Sequence, residues 1–345
     1  MKPKDVEVAN FVCRFGEKKM LSEFETRVYP LFKEEIDESY GERKGYFFYE
    51  IKLDYILKQP TIYGRLVQRL TLKSHQVFKR GIGLTRSDET LPSDPSTIFA
   101  LRLSDHKFFI IPEQPRSPRM KVFEKIFTKL LNAQWYEKYS DEKKRFLKVR
   151  DRKIMNKDLL LEFNSYFEEI FPEPDFRLSP IGDAQKAEDL LDAFYILKNV
   201  KISNSQTNNE DYELDEELLQ QYKLATERTH AKNSDLNFSN PKIGLEKENV
   251  KHLIGVVAKS GGNLSFSLKG KTQEGTDLVK TDHDSKVKLK ILIGDNDDVR
   301  TLIEKAFTAL DNAIREKIII IAKQMELIED QGFAAEIVER IRGNS

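Results

Sequence analysis

Glu50-Ile51-Lys52, with Asp37 upstream, sets an acid and a lysine two residues apart in an aromatic-rich segment. On a strand that spacing puts Glu50 and Lys52 on one face. There Asp37 and Glu50 would hold a divalent ion that activates water, and Lys52 would orient or stabilise charge, as in a metal-dependent nuclease. The same alternation sends Phe47, Tyr49, Ile51 and Leu53 to the other face, the pattern of a solvated face over a core. In a chain with 33% charged residues, acid-x-base triplets also arise by chance. Asp282-His283-Asp284 offers three ligand types, but adjacent residues do not converge easily on one ion, and a hairpin loop is the plainer reading. No Walker loop, no GxGxxG after a strand and no GxSxG elbow occurs. These motifs favour a binding protein over an enzyme, with no metal and no cofactor expected.

Arg69 and His75 are separated by five residues. That spacing resembles the arginine–histidine pair of the HEPN ribonucleases, which implies metal-free RNA cleavage from a helical bundle. The surrounding segment reads as extended, so a surface arginine and a loop histidine are the plainer assignment.

Basic faces are the stronger signal. Leu264, Phe266 and Leu268 alternate with Ser265, Ser267, Lys269 and Lys271; Val287, Leu289 and Ile291 alternate with Lys286, Lys288 and Lys290. If both strands belong to one antiparallel sheet, the five lysines form a platform suited to a phosphate backbone. Lysine is also common on any solvated strand face, so the pattern leaves both readings open. A second basic stretch, residues 116–153, includes Lys143, Lys144, Arg145, Lys148 and Arg150, with Trp135, Tyr136 and Tyr139 among the cations. Aromatics so placed either stack on bases or fill a helical core.

These faces need elements to carry them. Alternation predicts strands over residues 6–15, 46–53, 66–72, 97–103, 107–111, 194–203, 264–268 and 286–291. Helical spacing predicts helices over 21–36, from Pro118 to about 148, 157–171, 213–227 and 246–258. Residues 233–241 read as loop. Asp295-Asn296-Asp297 is expected to cap a long final helix whose apolar positions include Leu302, Ile303, Phe307 and Leu310. The expected fold is α+β in two domains, with antiparallel sheets packed against helices. The first domain is placed at 1–150, a helical connection at 151–175 around Pro172-Glu173-Pro174, and the second domain at 176–345.

Composition bounds the rest. With 39% hydrophobic residues in 345, the chain has material for real cores. Lys plus Arg and Asp plus Glu each total 57, which excludes a globally cationic coat but not local basic faces. Cys13 is the single cysteine, so no intrachain disulfide forms, in keeping with a reducing cytoplasm. Met1-Lys2-Pro3-Lys4-Asp5 lacks the apolar stretch of a signal peptide. The run from Ile318 to Ala322 is flanked too closely by charges for a membrane span and reads as a buried helix turn.

One ordered pattern runs through the second half. Phe176-Arg177-Leu178-Ser179-Pro180-Ile181 leads into Ala184 to Leu191, then Ile196-Leu197-Lys198-Asn199-Val200-Lys201-Ile202. Pro241-Lys242-Ile243 precedes Val250-Lys251-His252-Leu253, followed by Leu264-Ser265-Phe266-Ser267-Leu268-Lys269-Gly270-Lys271-Thr272-Gln273-Glu274-Gly275, a lysine-rich strand and a helix. Upstream, Thr97-Ile98-Phe99-Ala100, the strand from His106 to Ile111 and the helix after Pro115 follow suit. The order resembles the RexA-type phage-exclusion proteins, and is similar to the DNA-binding component of the Kiwa defence system. The resemblance implies a cytoplasmic sensor that binds DNA largely without sequence preference and serves antiviral defence. Its implied partners are DNA, a membrane protein encoded alongside, and further copies of the chain. A nuclease effector and a protein-interaction scaffold stay open beside it.

Overall fold

In the computed structural model of the chain, the residues described are 1–345 except 17, 34, 37–44, 74–75, 82, 87–89, 151–153, 206–216, 230, 232, 261–263, 317–318, 320–326 and 344–345. Strands β1 (Lys2–Phe15), β2 (Lys18–Lys19), β3 (Glu35–Ile36), β4 (Gly45–Ile56) and β5 (Gln59–Lys73) come first. β6 (Gln76–Lys79), β7 (Gly83–Arg86), β8 (Thr90–Ser93), β9 (Ser96–Arg102) and β10 (Lys107–Pro112) follow. Helices α1 (Met120–Val149) and α2 (Lys157–Ile170) precede β11 (Pro174–Pro180), α3 (Ala184–Asp189), β12 (Ile196–Ser205) and α4 (Glu217–Arg228). The chain continues with β13 (Asn233–Ser239), α5 (Lys247–Lys259), β14 (Leu264–Lys271), β15 (Asp277–Thr281), β16 (Lys288–Ile293), α6 (Val299–Arg315) and α7 (Leu327–Gly343).

The fold is α+β with antiparallel sheets. A ten-stranded sheet runs β11-β1-β10-β9-β5-β4-β3, with β16 and β2 also on β1 and β8 on β5. A four-stranded sheet runs β13-β12-β14-β15, and β6 pairs β7. β1 is the axis of the large sheet. Its residues 2–7 pair with β16 and its residues 9–15 with β11, while β10 takes the opposite edge. Alternation along β1 feeds two cores: Ala9, Phe11, Cys13 and Phe15 point into one, Val6 and Val8 into the other. The first core is closed by the N-terminal half of α1 and by α7, the second by α6. α3, α5 and α4 cover one face of the small sheet.

Five expectations are corrected here. The chain does not divide at 151–175: β11 and β16 return to β1, so residues on both sides of that boundary share one sheet. Residues 20–33 form short 3-10 and π turns instead of a regular helix, broken by Pro30, which has no N–H to continue one. Residues 233–239 are strand β13, held against β12 by a full ladder. The final helix is two helices, α6 and α7, and the carboxylate of Asp298, not Asp295–Asp297, caps α6 by accepting from the Thr301 N–H. Of the run 318–322, Ile319 is buried in the second core and the rest lies outside the described residues.

No helix among the described residues is long and apolar enough to cross a membrane.

Candidate nucleic-acid interface

α1 is 30 residues long, which makes it about 45 Å from end to end. Met120, Phe123, Ile126, Phe127, Leu130 and Leu131 sink its first half into the main core. Beyond Leu131 the helix packs against α2 and the residues that flank it. Phe146, Phe163 and Phe167 form a separate small core with Trp135, Tyr139, Met155, Leu159 and Phe171 around it. Edge-to-face contacts hold it: Tyr139 on Phe163 at 5.0 Å and Phe146 on Phe163 at 5.1 Å between ring centroids. Tyr139 donates to Asn164 Oδ1 (2.8 Å) and Trp135 Nε1 donates to the Phe171 carbonyl (3.2 Å). Trp135 and Tyr139 are therefore structural, and only Tyr136 of the three aromatics is exposed.

The outer end of this hairpin carries the charge. Residues 143–157 contain eight cations (Lys143, Lys144, Arg145, Lys148, Arg150, Arg152, Lys153 and Lys157) and one acid, Asp151. Asn156 opens α2 there, its side chain accepting from the Leu159 N–H at 2.9 Å. Acids one turn inward bind some of the cations: Lys144 to Asp141 at 3.1 Å, Arg145 to Glu142 at 2.9 Å, and Arg150 to Glu162. Arg150 also lies over the Phe146 ring, 3.7 Å from its centroid. Lys148 is exposed and makes no ion pair with a described residue. Solvent-exposed pairs of this kind contribute at most about 1 kcal/mol each, so the cations can exchange them for phosphate at little cost.

The expected lysine platform divides. Lys269 and Lys271 stand on β14 in the small sheet, whereas Lys288 and Lys290 stand on β16 in the large one. Lys286 lies just before β16, in an isolated bridge to Gly182. Lys288 and Lys290 are opposite Glu7 and Asp5 of β1. Lys286 Nζ sits 2.9 Å from Glu7 Oε2, and Arg119 approaches Oε1 of the same carboxylate at 3.4 Å. Glu7 is only 6% exposed, so those two cations are largely committed to compensating it. The sequence alternation of each strand is as expected; which sheet each joins depends on long-range pairing that alternation does not encode.

Lys269 faces outward between Asn199 and Val279, on a face that continues through Lys201, Ser203, Ser265, Ser267, Asn237 and Thr281. Lys271 is opposite Asp277. Lys201 is paired with Asp235 at 2.9 Å, and hydrogen bonds from Lys201 and Ser203 hold that carboxyl below its usual range. This polar face was legible only in part, because β13 reads as loop.

Each catalytic candidate is described only in part. Asp37 and His75 lie outside the described residues. The ladder slips between Tyr49 and Lys52, and Glu50 sits at φ 52°, so the face alternation expected for β4 breaks at the candidate site: Tyr49 is exposed and Glu50 pairs with Arg65. Lys52 is exposed on the same strand. Arg69 lies on strand β5 with its guanidinium 4.9 Å from the centre of the Phe47 ring, not in a helical bundle. Asp282–Ser285 is a 3-10 turn joining strands of different sheets, not a hairpin loop. Its Asp282 carboxyl is raised by burial, with His283 and Arg177 opposing. No group of three potential metal ligands occurs among the described residues.

The chain matches no protein-family model, and no curated protein matches it.

Proposed function

We propose that this protein is a non-catalytic, largely sequence-independent duplex-DNA-binding protein that acts in the cytoplasm as a sensor in antiviral defence. The observation that carries the DNA-binding part is the set of described cations at the outer end of the α1/α2 hairpin, Lys143, Lys144, Arg145, Lys148, Arg150 and Lys157, of which Lys148 makes no ion pair with a described residue. Lysine and arginine presented this way contact phosphates through charge and read no base edges, which gives affinity without sequence preference. Lys269 and Lys271 on the small sheet form a separate, weaker patch. The defence role, a membrane-protein partner and self-association rest on the resemblance to RexA-type and Kiwa proteins.

A gel-shift comparison at low salt tests the reading. Lys144→Glu with Lys148→Glu should abolish retention of duplex. Lys269→Glu with Lys271→Glu should weaken it, and Lys288→Glu with Lys290→Glu should leave it nearly intact. Plasmid and total RNA should stay whole with and without magnesium. No shift by folded wild-type protein, or cleavage of either substrate, would overturn it.

A further inference from the structure

The small sheet presents a second kind of surface. Its inner face is covered by α3, α5 and α4, while on its outer face Lys269 and Val279 are exposed side by side, Val279 to 55%. Lys271 follows Lys269 by two residues, about 6.8 Å further along β14. Lysine on a solvated strand face is ordinary and carries nothing by itself. The surroundings of these two set them apart. Neither makes an ion pair with a described residue, whereas Lys201, on the next row, is committed to Asp235. Asn199, beside Lys269, donates its amide to Asn237 Oδ1 at 2.6 Å and to the Phe238 carbonyl at 3.2 Å. That pair leaves one acceptor, Asn199 Oδ1, and one donor group, Asn237 Nδ2, without a described partner.

The end of the face carries a ring. Phe194 and Tyr195 are adjacent but diverge. Phe194 is buried over Gly270, where an added Cβ would come within 2.8 Å of its ring and 2.2 Å of the Ile196 carbonyl oxygen. Tyr195 is 66% exposed, and its N–H donates to the Lys271 carbonyl at 2.8 Å, which holds it beside that lysine. Its side chain meets no described ring, cation or hydrogen-bond partner.

We propose that the outer face of the small sheet, with Tyr195 at its end, binds single-stranded nucleic acid. Lys269 and Lys271 contact phosphates, Tyr195 stacks on a base, and the Asn199–Asn237 pair meets a base edge. The proposal rests on the nucleic-acid-binding reading above and gives its weaker patch a substrate of its own. A duplex suits this face poorly. Its bases are stacked on one another and closed to Tyr195, so it offers the sheet mainly phosphates, and two free lysines then give little affinity. An unpaired strand brings base faces and edges to the same surface and engages the ring and the amides as well as the cations.

Fluorescence anisotropy of short labelled oligo(dT) and oligo(U) tests this on the full-length protein. Wild type should bind at least one of them. Tyr195→Ala should weaken that binding about tenfold and Tyr195→Phe should restore it, because stacking needs the ring and not the hydroxyl. Lys269→Ala with Lys271→Ala should make the salt dependence shallower by about 1.4, roughly 0.7 per phosphate on a single strand. Thermal melts identical to wild type show that these surface variants are folded. Lys144→Glu with Lys148→Glu should leave oligonucleotide binding in place. Binding indifferent to Tyr195→Ala and to the lysine pair overturns the proposal, as does its loss in the hairpin variant. Wild type that shifts duplex but binds neither oligonucleotide also overturns it and leaves the hairpin assignment standing. Wild type that binds neither duplex nor oligonucleotide removes the nucleic-acid reading itself.

Discussion

The guanidinium carbon of Arg27 lies 3.8 Å from the ring centroid of Phe171 and 3.8 Å from that of Phe15, so the cation is sandwiched between the C-terminal end of α2 and β1. Arg27 is 2% exposed, and its Nη2 donates to the Pro172 carbonyl at 3.0 Å. Burial lowers its pKa to about 10, against the opposing charges of Glu23 and Glu168. This stack fixes the base of α2 to the sheet. Arg27→Ala should destabilise the protein by about 3 kcal/mol, from the lost cation–π contacts and charged hydrogen bond together. Arg27→Lys should recover little, because an ammonium lacks the planar face that both rings use. Urea unfolding of the two variants measures this.

The hairpin end should unfold apart from the body. Phe163 belongs to the small aromatic core and to no other. Phe163→Ala removes a buried ring that ordinarily contributes about 3–5 kcal/mol, more than so small a cluster can spare. Amide exchange should then accelerate across residues 135–170 while β1, β9 and β10 keep their protection. Asn156→Ala should cost about 1 kcal/mol and fray the first turn of α2. Uniform loss of protection throughout the chain would contradict this separation.

Acid should loosen the C-terminal helix. Asp54 accepts from Arg300 at 3.2 Å, from Arg342 at 2.6 Å and from the Tyr55 N–H at 2.7 Å, joining β4 to α6 and α7. Burial alone would raise its pKa, but Tyr55, Arg342 and Arg300 outweigh it and hold the carboxyl below its ordinary value of 3.8. The unfolded chain therefore takes up this proton first as pH falls. The stabilisation is fully present above the unfolded value and is lost as pH drops through the lower folded one. Limited proteolysis of α7 should speed up on acidification to about pH 3, and Asp54→Asn should reproduce the effect at neutral pH. Cleavage that ignores both changes would contradict it.

Cys13 should be chemically silent. It is buried in the main core, and burial pushes its thiol far above the usual range, with Arg27 opposing. A thiolate is the reactive form, so an aromatic disulfide reagent should leave the native protein unmodified and label it stoichiometrically in denaturant. Rapid labelling of the native chain would contradict this.

Much of the fold is legible in local pattern. The alternation of β14 and the 3.6-residue spacing of Leu302, Ile303, Phe307 and Leu310 are each reproduced in burial. Legibility ends where distant residues decide. Nothing near Leu289 says that β16 will pair with β1, and that pairing is what separates Lys288 from Lys269. Nothing in the spacing around Arg27 says that Phe15 and Phe171 will close on it. The basic stretch 116–153 is plain in sequence, but the position of Lys143 to Arg150 at the outer end of a hairpin follows from which aromatic residues pair across it.

Salt dependence of duplex affinity tests the cationic hairpin end most directly. For wild type, log K should fall linearly with log salt. Alanine at Lys144, Lys148 and Arg150 together should make the slope shallower by about three, roughly one per phosphate contact, while alanine at Lys288 and Lys290 leaves it unchanged. A slope indifferent to the hairpin substitutions, or folded wild type that does not bind duplex at low salt, would contradict the assignment.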